Sequence, residues 1–407
     1  MLIDVQTNWK VLQRGSHNGF VDIRNDMASK KYAEKVGATT KRQFNFLAGF
    51  NKAVGEMEGI SESSDPPRYF YSFGNFVLNK IMSGSFFKGL PQGRVVNLSG
   101  PSGSGKSFVA ANAMKSAQQD GAFILVVDSE NAMDDDFVSK VGVDTTDGYK
   151  YVGVSTVPQV TNVVSTFLKV YKKVNEEDLI NAPRVLIVID SLDMLMTETE
   201  MEHYDKGDQK GDQGQRNKQL KAMLRTFVQD IKSLNVTVLV TSQVYRNQDL
   251  KNGEGIWMIA EAVKYAASII ALLTKLKLKE KQEGPVLGIR MKCQGYKTRL
   301  TKPFQECTIE VPYETGMNKF SGLVETAVAL GVVEKRGSRY GFPGDGDTWF
   351  AKDVETVSEK ILLKCEMVSN PYLQVEDEEV DTETESVEET RNRRQSKKPR
   401  VAVEEAS

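Results

Sequence analysis

The sequence predicts an α/β architecture, a mostly parallel sheet flanked by helices, set between a small N-terminal module and a small C-terminal domain. Three observations carry this. Short Val/Ile/Leu runs at 94–98, 123–127, 185–189, 236–240, 267–273 and 288–292 alternate with helix-length segments, the order that parallel strands with crossover helices produce. Ahead of them, the breaker cluster Ser63-Ser64-Asp65-Pro66-Pro67 closes off the first segment, because paired prolines stop helix and strand alike. Beyond them, SGLVETAVALGVV at 321–333 has helical apolar spacing, followed by glycine and Lys/Arg-rich turns.

Taken in order, residues 1–70 form a lead-in module, with a basic stretch at 24–42 and a short apolar run at 44–50. The core is expected over 71–312 and the small C-terminal domain over 313–369. From 370 to 407 the chain carries an acidic run (376–389) and a basic run (391–400) with almost nothing to bury, the composition of a disordered tail. A chain of 407 residues exceeds what one core usually organises.

Composition narrows the class less than the motifs do. A net charge of −2 neither requires nor excludes a nucleic-acid partner, since only a locally basic groove is needed. Three cysteines, Cys293, Cys307 and Cys365, have spacings that match neither a disulfide framework nor a zinc site. A reduced, cytoplasmic setting is expected. Charged and polar groups run through the first twenty residues and no later stretch reaches the length of a bilayer span, which predicts a soluble, unprocessed chain with no membrane partner.

Gly100-Pro101-Ser102-Gly103-Ser104-Gly105-Lys106-Ser107 satisfies G-x-x-x-x-G-K-[ST], after an apolar strand and before a helical segment, the context the chemistry demands. Glycines let the backbone wrap phosphate oxygens with N–H groups pointing inward, while the helix N-terminus faces the negative charge. ATP is the implied nucleotide, with Lys106 reaching the β- and γ-phosphates and Ser107 ligating Mg²⁺. The partner motif is the apolar strand ending at Asp190, whose carboxylate would face the metal. A third strand runs into Asp128-Ser129-Glu130, making Glu130 the candidate for orienting the attacking water, against the plainer reading of a surface glutamate. A fourth ends at Thr241-Ser242-Gln243; Gln243 there either senses the γ-phosphate or is simply solvated.

Several residues outside the generic phosphate-loop signature carry a closer likeness: Leu90-Pro91-Gln92-Gly93-Arg94, Asp128-Ser129-Glu130 with Ala132 and Asp134, Gly142-Val143-Asp144, Asp190-Ser191 and Gln243. Over roughly residues 71–345 the chain resembles the RecA-type recombinases, most closely the UvsX-type recombination proteins of tailed phages. The resemblance implies a RecA-like, DNA-dependent ATPase core. It makes Glu130 the catalytic carboxylate, Gln243 the link from nucleotide to a DNA loop, and Phe137 an aromatic against adenine. Lys297 and Arg299, ahead of Pro303-Phe304, resemble the cations that family members insert into a neighbouring subunit's ATP site.

The resemblance also places two DNA-binding loops. The first falls at 197–215, with Lys206 and Lys210 among Gly207, Gly211 and Gly214, which are expected to break any helix; Asp205, Asp208 and Asp212 blunt its charge. The second falls at 244–259, with Tyr245, Arg246, Lys251 and Trp257, cations and aromatics of the kind that suit unstacked single strands. It lacks the glycine pair of bacterial members, having Met258-Ile259. Phe50-Asn51-Lys52-Ala53 matches an F-x-x-A pattern by which some relatives bind a neighbour.

The implied partners are single-stranded DNA, homologous duplex DNA, further copies of the chain in a helical filament, and mediator and single-strand-binding proteins. The implied roles are recombination, repair and recombination-dependent replication. A ring-forming replicative helicase and a mediator or signalling ATPase share the same core and remain open from sequence. The charged tail is read either as a competitor for the DNA groove or as a solubilising segment.

Overall fold

The computed structural model describes residues 45–57, 66–208, 214–246, 257–279 and 283–370. The basic stretch at 24–42, Lys210, Lys251 and the charged tail lie outside the described residues. The chain divides into two units, Met1–Pro66 and Pro67–Ser407. In the first, helix α1 (Asn45–Gly55) leaves Leu47, Phe50 and Ala53 exposed.

The second unit opens with β1 (Phe70–Tyr71), α2 (Phe76–Ser83) and β2 (Leu90–Pro91), the two strands pairing antiparallel. There follow β3 (Val95–Ser99), α3 (Lys106–Gln119), β4 (Phe123–Asp128), α4 (Asp135–Val141), β5 (Tyr149–Gly153), α5 (Val157–Val174) and β6 (Val185–Asp190). Next come α6 (Glu198–Asp205), α7 (Gln215–Ile231), β7 (Val236–Ser242), the short β8 (Tyr245–Arg246) and β9 (Trp257–Met258), and α8 (Glu261–Ala266). Three long strands, β10 (Ile269–Lys279), β11 (Val286–Thr298) and β12 (Glu306–Pro312), complete the sheet. The chain then forms α9 (Leu323–Ala329), the hairpin β13 (Glu334–Arg336) and β14 (Arg339–Gly341), and α10 (Val354–Ser369).

Eight strands lie in the order β12-β11-β10-β3-β7-β6-β4-β5. From β10 to β5 every pairing is parallel, whereas β10, β11 and β12 pair antiparallel at one edge. The alternation of apolar runs and helices anticipated the parallel part. The antiparallel edge follows from its connections, which are too short to hold the crossover that a parallel return needs. The strand β5 escaped the sequence reading because Tyr149-Lys150-Tyr151-Val152-Gly153 is a half-exposed edge with no apolar run.

Both faces of the sheet are covered, and period-two alternation sorts the side chains between them. Ile124, Val126, Leu186 and Val188 enter a core built against α3. Leu125, Val127, Ile187 and Ile189 enter one built against α5 and α7. Helix α3 approaches the sheet closely because its buried positions are mainly alanine: Ala110, Ala111, Ala113 and Ala117. Helix α5 starts at a capping box, Thr156 with Gln159, and buries Val157, Val160, Val164, Leu168 and Tyr171, the i, i+3, i+4 spacing of a single apolar stripe.

A third core joins the C-terminal elements to α2. Val77 and Phe86 pack with Phe320, Leu323, Val332, Trp349, Ile361 and Leu362. The buried Glu366 of α10 accepts the Phe86 N–H at 2.9 Å and the Asn370 amide at 2.8 Å. No helix among the described residues is long and apolar enough to cross a membrane. Replacing Glu366 by Ala leaves the buried Phe86 N–H without an acceptor, so Glu366→Ala is expected to lower unfolding free energy by about 1–3 kcal/mol in urea titration. The exposed Glu355→Ala should stay within about 0.5 kcal/mol of the unaltered chain.

Candidate nucleotide site

The phosphate-loop segment leaves β3 at the carboxyl edge of the sheet, where the Gly100 N–H donates to the Ser242 carbonyl at 3.1 Å. A Cβ at Gly100 would lie 2.4 Å from both the Leu273 carbonyl oxygen and Ser104 Oγ, so no other residue fits. Gly105 caps α3 with φ +95° and no side-chain cap, a conformation that favours glycine. The first N–H groups of a 14-residue helix are thus left facing the loop, carrying the positive end of its dipole.

Lys106 is buried, and its Nζ donates to the carbonyls of Gly100 at 3.0 Å and Pro101 at 3.2 Å. Burial holds its pKa below the ordinary lysine range, opposed by the carboxylates of Asp190, Glu130 and Asp193 and reinforced by Lys275. Lys275, from β10, lays its ammonium against Gly103, 2.4 Å from where a Cβ would sit. Two cations therefore face the loop, of which sequence reading identified one.

Asp190 ends β6 almost fully buried, with Oδ1 accepting from Thr241 Oγ1. Burial raises its pKa, opposed by the hydroxyls of Thr241 and Ser107. Its Oδ2 is buried with no hydrogen-bond partner in the protein. An orphaned carboxylate oxygen beside the Ser107 hydroxyl is a donor pair suited to a hard cation such as Mg²⁺, which takes one or two protein oxygens and fills its shell with water and phosphate. Among the described residues no group of three or more His, Cys, Asp or Glu is arranged to hold a metal.

Glu130 reaches the same crevice from β4. Its Oε1 accepts from Ser191 Oγ at 2.5 Å. The turn that carries it is held by Asp128, whose Oδ1 accepts the N–H groups of Glu130 at 2.8 Å and Asn131 at 2.9 Å while Oδ2 accepts Met133 N–H at 2.9 Å. The Ser129 N–H donates to the Asp190 carbonyl at 2.8 Å, so the ends of β4 and β6 are tied together. Asp134, noted in the sequence only as part of a likeness, caps α4 by accepting Phe137 N–H at 2.7 Å.

Gln243 follows β7 and is half-buried, its N–H donating to Asp193 Oδ2 at 2.5 Å. The chain then enters the antiparallel ribbon β8–β9, where Tyr245 pairs with Met258 and Arg246 with Trp257. Tyr245 and Met258 are exposed. The stem of the second loop segment is therefore a two-stranded ribbon.

The first loop segment differs from expectation. Glycines were expected to break any helix across 197–215, yet Glu198–Asp205 forms α6. The reason is a capping box: Thr197 accepts Glu200 N–H at 3.1 Å and Glu200 returns the bond to Thr197 N–H at 2.8 Å. The glycines act at its borders, Gly207 with φ +69° after α6 and Gly214 with φ +81° before α7. Lys206 lies 3.8 Å from Glu202 in an exposed pair.

Lys297 and Arg299 are not brought to this site in their own chain. Lys297 pairs with Ile270, which pairs with Asn97, so it lies about 10 Å down the strand axis from Gly100 and two strands aside. The Arg299 N–H donates to the Ser268 carbonyl at 3.1 Å, lower still, and its side chain is exposed. Lys297 Nζ donates to the Lys264 carbonyl, and burial, then Arg299, lowers its pKa. Phe137 is half-buried against the α3-side core.

Asp128→Ala removes the acceptor of three backbone N–H groups and is expected to cost about 1–3 kcal/mol by chemical denaturation. Asp128→Asn, which keeps an acceptor for Glu130 and Asn131, should lose less.

Residues 70–318 match the family described as the RecA N-terminal domain. Protein RecA of Kineococcus radiotolerans is 26% identical over 296 residues, 72% of this chain and 80% of that protein. Protein RecA of Leptospira meyeri is 28% identical over 258 residues, 63% of this chain and 62% of that protein. Protein RecA of Chloroherpeton thalassium is 27% identical over 303 residues, 72% of this chain and 77% of that protein. With a doubly covered, mostly parallel sheet and a glycine-built phosphate loop at its carboxyl edge, the chain belongs to the RecA family.

Proposed function

We propose that this chain is an ATP-dependent DNA recombinase: protomers assemble on single-stranded DNA as a helical filament, ATP lodges between neighbours, and the assembly exchanges strands with a homologous duplex. The observation that carries this reading is the split between the two halves of the site. Lys106, Ser107, Glu130, Asp190 and Gln243 gather at the carboxyl edge of the sheet, whereas Lys297 and Arg299 lie near its opposite end. A cation pair out of reach of its own phosphate loop suits donation to a neighbour's.

In this reading the Lys106 ammonium exchanges the Gly100 and Pro101 carbonyls for β- and γ-phosphate oxygens. Glu130, steadied by Ser191, orients the attacking water. Ser107 and Asp190 hold Mg²⁺, which neutralises charge on the phosphates when bound. Arginine-finger cations of the kind proposed for Lys297 and Arg299 contribute about 10³–10⁵ in rate. The first DNA segment presents Lys206 and Lys210, and the second Tyr245, Arg246, Lys251 and Trp257, to phosphates and unstacked bases.

The test mixes the protein with ATP, Mg²⁺, a circular single strand and a homologous linear duplex across a salt series, because single-strand affinity falls with log[salt] by about −0.7 per phosphate contact. Joint molecules are expected; their absence at every salt concentration sinks the proposal, and closed rings in electron micrographs in place of filaments point to a helicase. Lys106→Ala is expected to abolish productive nucleotide binding. Glu130→Gln should bind ATP and turn it over about 10²-fold more slowly, the range a general base supplies.

Mixing provides a second check. Lys106→Ala and Arg299→Ala protomers are each expected to be inactive alone, and together to recover part of the DNA-dependent hydrolysis where an intact loop meets an intact Arg299. No recovery at any mixing ratio would place the cations outside the neighbour's site.

A further inference from the structure

Asp193 has no part in the phosphate loop, the metal pair or the Glu130 turn, yet from just past the end of β6 it bonds to a residue at the border of each loop segment. Its Oδ2 accepts the Gln243 N–H at 2.5 Å. Its backbone carbonyl accepts from Arg216 Nη1 at 3.0 Å. Gln243 stands where the chain leaves β7 for the β8–β9 ribbon, and Arg216 stands in the first turn of α7, just past Gly214. Beside it, the Leu192 N–H donates to the Thr241 carbonyl at 3.0 Å, which fixes the turn to the end of β7.

An ordinary turn aspartate serves its own turn. Asp128 and Asp134 do so, accepting N–H groups two to five residues ahead. Asp193 instead grips backbone 50 residues away, and its carbonyl is held by a guanidinium 23 residues away. Its carboxylate also feels the charges of Lys106 and Glu130; burial raises its pKa, opposed by the Gln243 N–H, Arg216 and Lys106 in that order. Two residues before it Ser191 holds Glu130, and Leu192 is tied to Thr241, so a rearrangement around a bound phosphate would reach both segments through this turn.

We propose that Asp193 is a positioning residue that transmits the state of the nucleotide site to both DNA-loop segments, holding Gln243 on its carboxylate and Arg216 on its carbonyl. This rests on the nucleotide-and-DNA reading above, and the test separates the two. The full chain, Asp193→Ala and Asp193→Asn are compared by ATP turnover with and without circular single-stranded DNA. Amide hydrogen exchange at 243–246 and 257–258 is followed with and without ATPγS and Mg²⁺.

In the unaltered chain the analogue is expected to slow exchange at Gln243 and along the ribbon. Asp193→Ala should reduce both that slowing and the ratio of DNA-stimulated to basal turnover about fivefold or more, while KM for ATP moves by less than about twofold. Asp193→Asn keeps an acceptor in place and should recover at least half of the ratio.

A merely structural Asp193 scales both turnover rates alike and leaves the exchange response intact, which overturns the proposal; so does Asp193→Asn as impaired as Asp193→Ala. If Asp193→Ala does not fold, Arg216→Gln carries the test: a ratio lowered about fivefold supports the link, and an unchanged ratio overturns it. Turnover indifferent to DNA in the unaltered chain, with the exchange response present and lost on removing Asp193, sinks the recombinase reading and leaves this one standing.

Discussion

The carboxyl ends of β3, β4, β6 and β7 lie side by side, and the site exists because parallel pairing brings those ends to one edge. Ser99 pairs with Ser242 and Asp128 with Asp190. The residues just past each strand end therefore enter one crevice: Gly100 from β3, Glu130 two residues past β4, Ser191 from β6, Gln243 from β7. Open α/β sheets bind ligands outside their strand carboxyl ends for this reason. A slip of one residue in β6 would turn Asp190 to the other face of the sheet and dissolve the metal-side pair.

That edge is held by a small number of polar contacts that only a buried setting makes strong. Asp190 gives one oxygen to Thr241 and keeps the other unpartnered, an arrangement that is costly in the protein alone. Such a cost persists where a ligand relieves it, as a hard cation held by this oxygen would. Around Lys106 stand the carboxylates Asp190, Glu130 and Asp193, which oppose the lowering of its pKa by burial. Asp128, by contrast, spends its carboxylate on three backbone N–H groups and the Tyr151 hydroxyl, shaping the turn that presents Glu130.

The same register that gathers these residues at one edge keeps Lys297 and Arg299 away from it. Strand β11 runs antiparallel to β10, so going from Cys293 toward Thr298 the chain moves away from the phosphate loop. Lys297 and Arg299 end up near the amino ends of the parallel strands.

Sequence alone determined the parts of this protein whose signal is local. Continuous apolar runs marked β3, β4, β6, β7 and the first half of β10 because a strand buried on both faces has no polar side to show. The phosphate loop was readable because its glycines answer a backbone requirement, at Gly100 a clash and at Gly105 a positive φ. The positions of Asp190, at the end of β6, and of Glu130, two residues past β4, were readable from the same runs.

What only the tertiary structure decided are the contacts between residues far apart in the chain. Strand β5 has a half-exposed sequence with no run to betray it. Helix α6 won over flanking glycines through a capping box that spans Thr197 and Glu200. Lys275 lies against Gly103, and Asp193 meets Gln243, through strand neighbours whose order in the sheet no local pattern encodes. Hydrophobic periodicity fixes which face of an element is buried; which elements become neighbours is settled by the packing of the whole sheet.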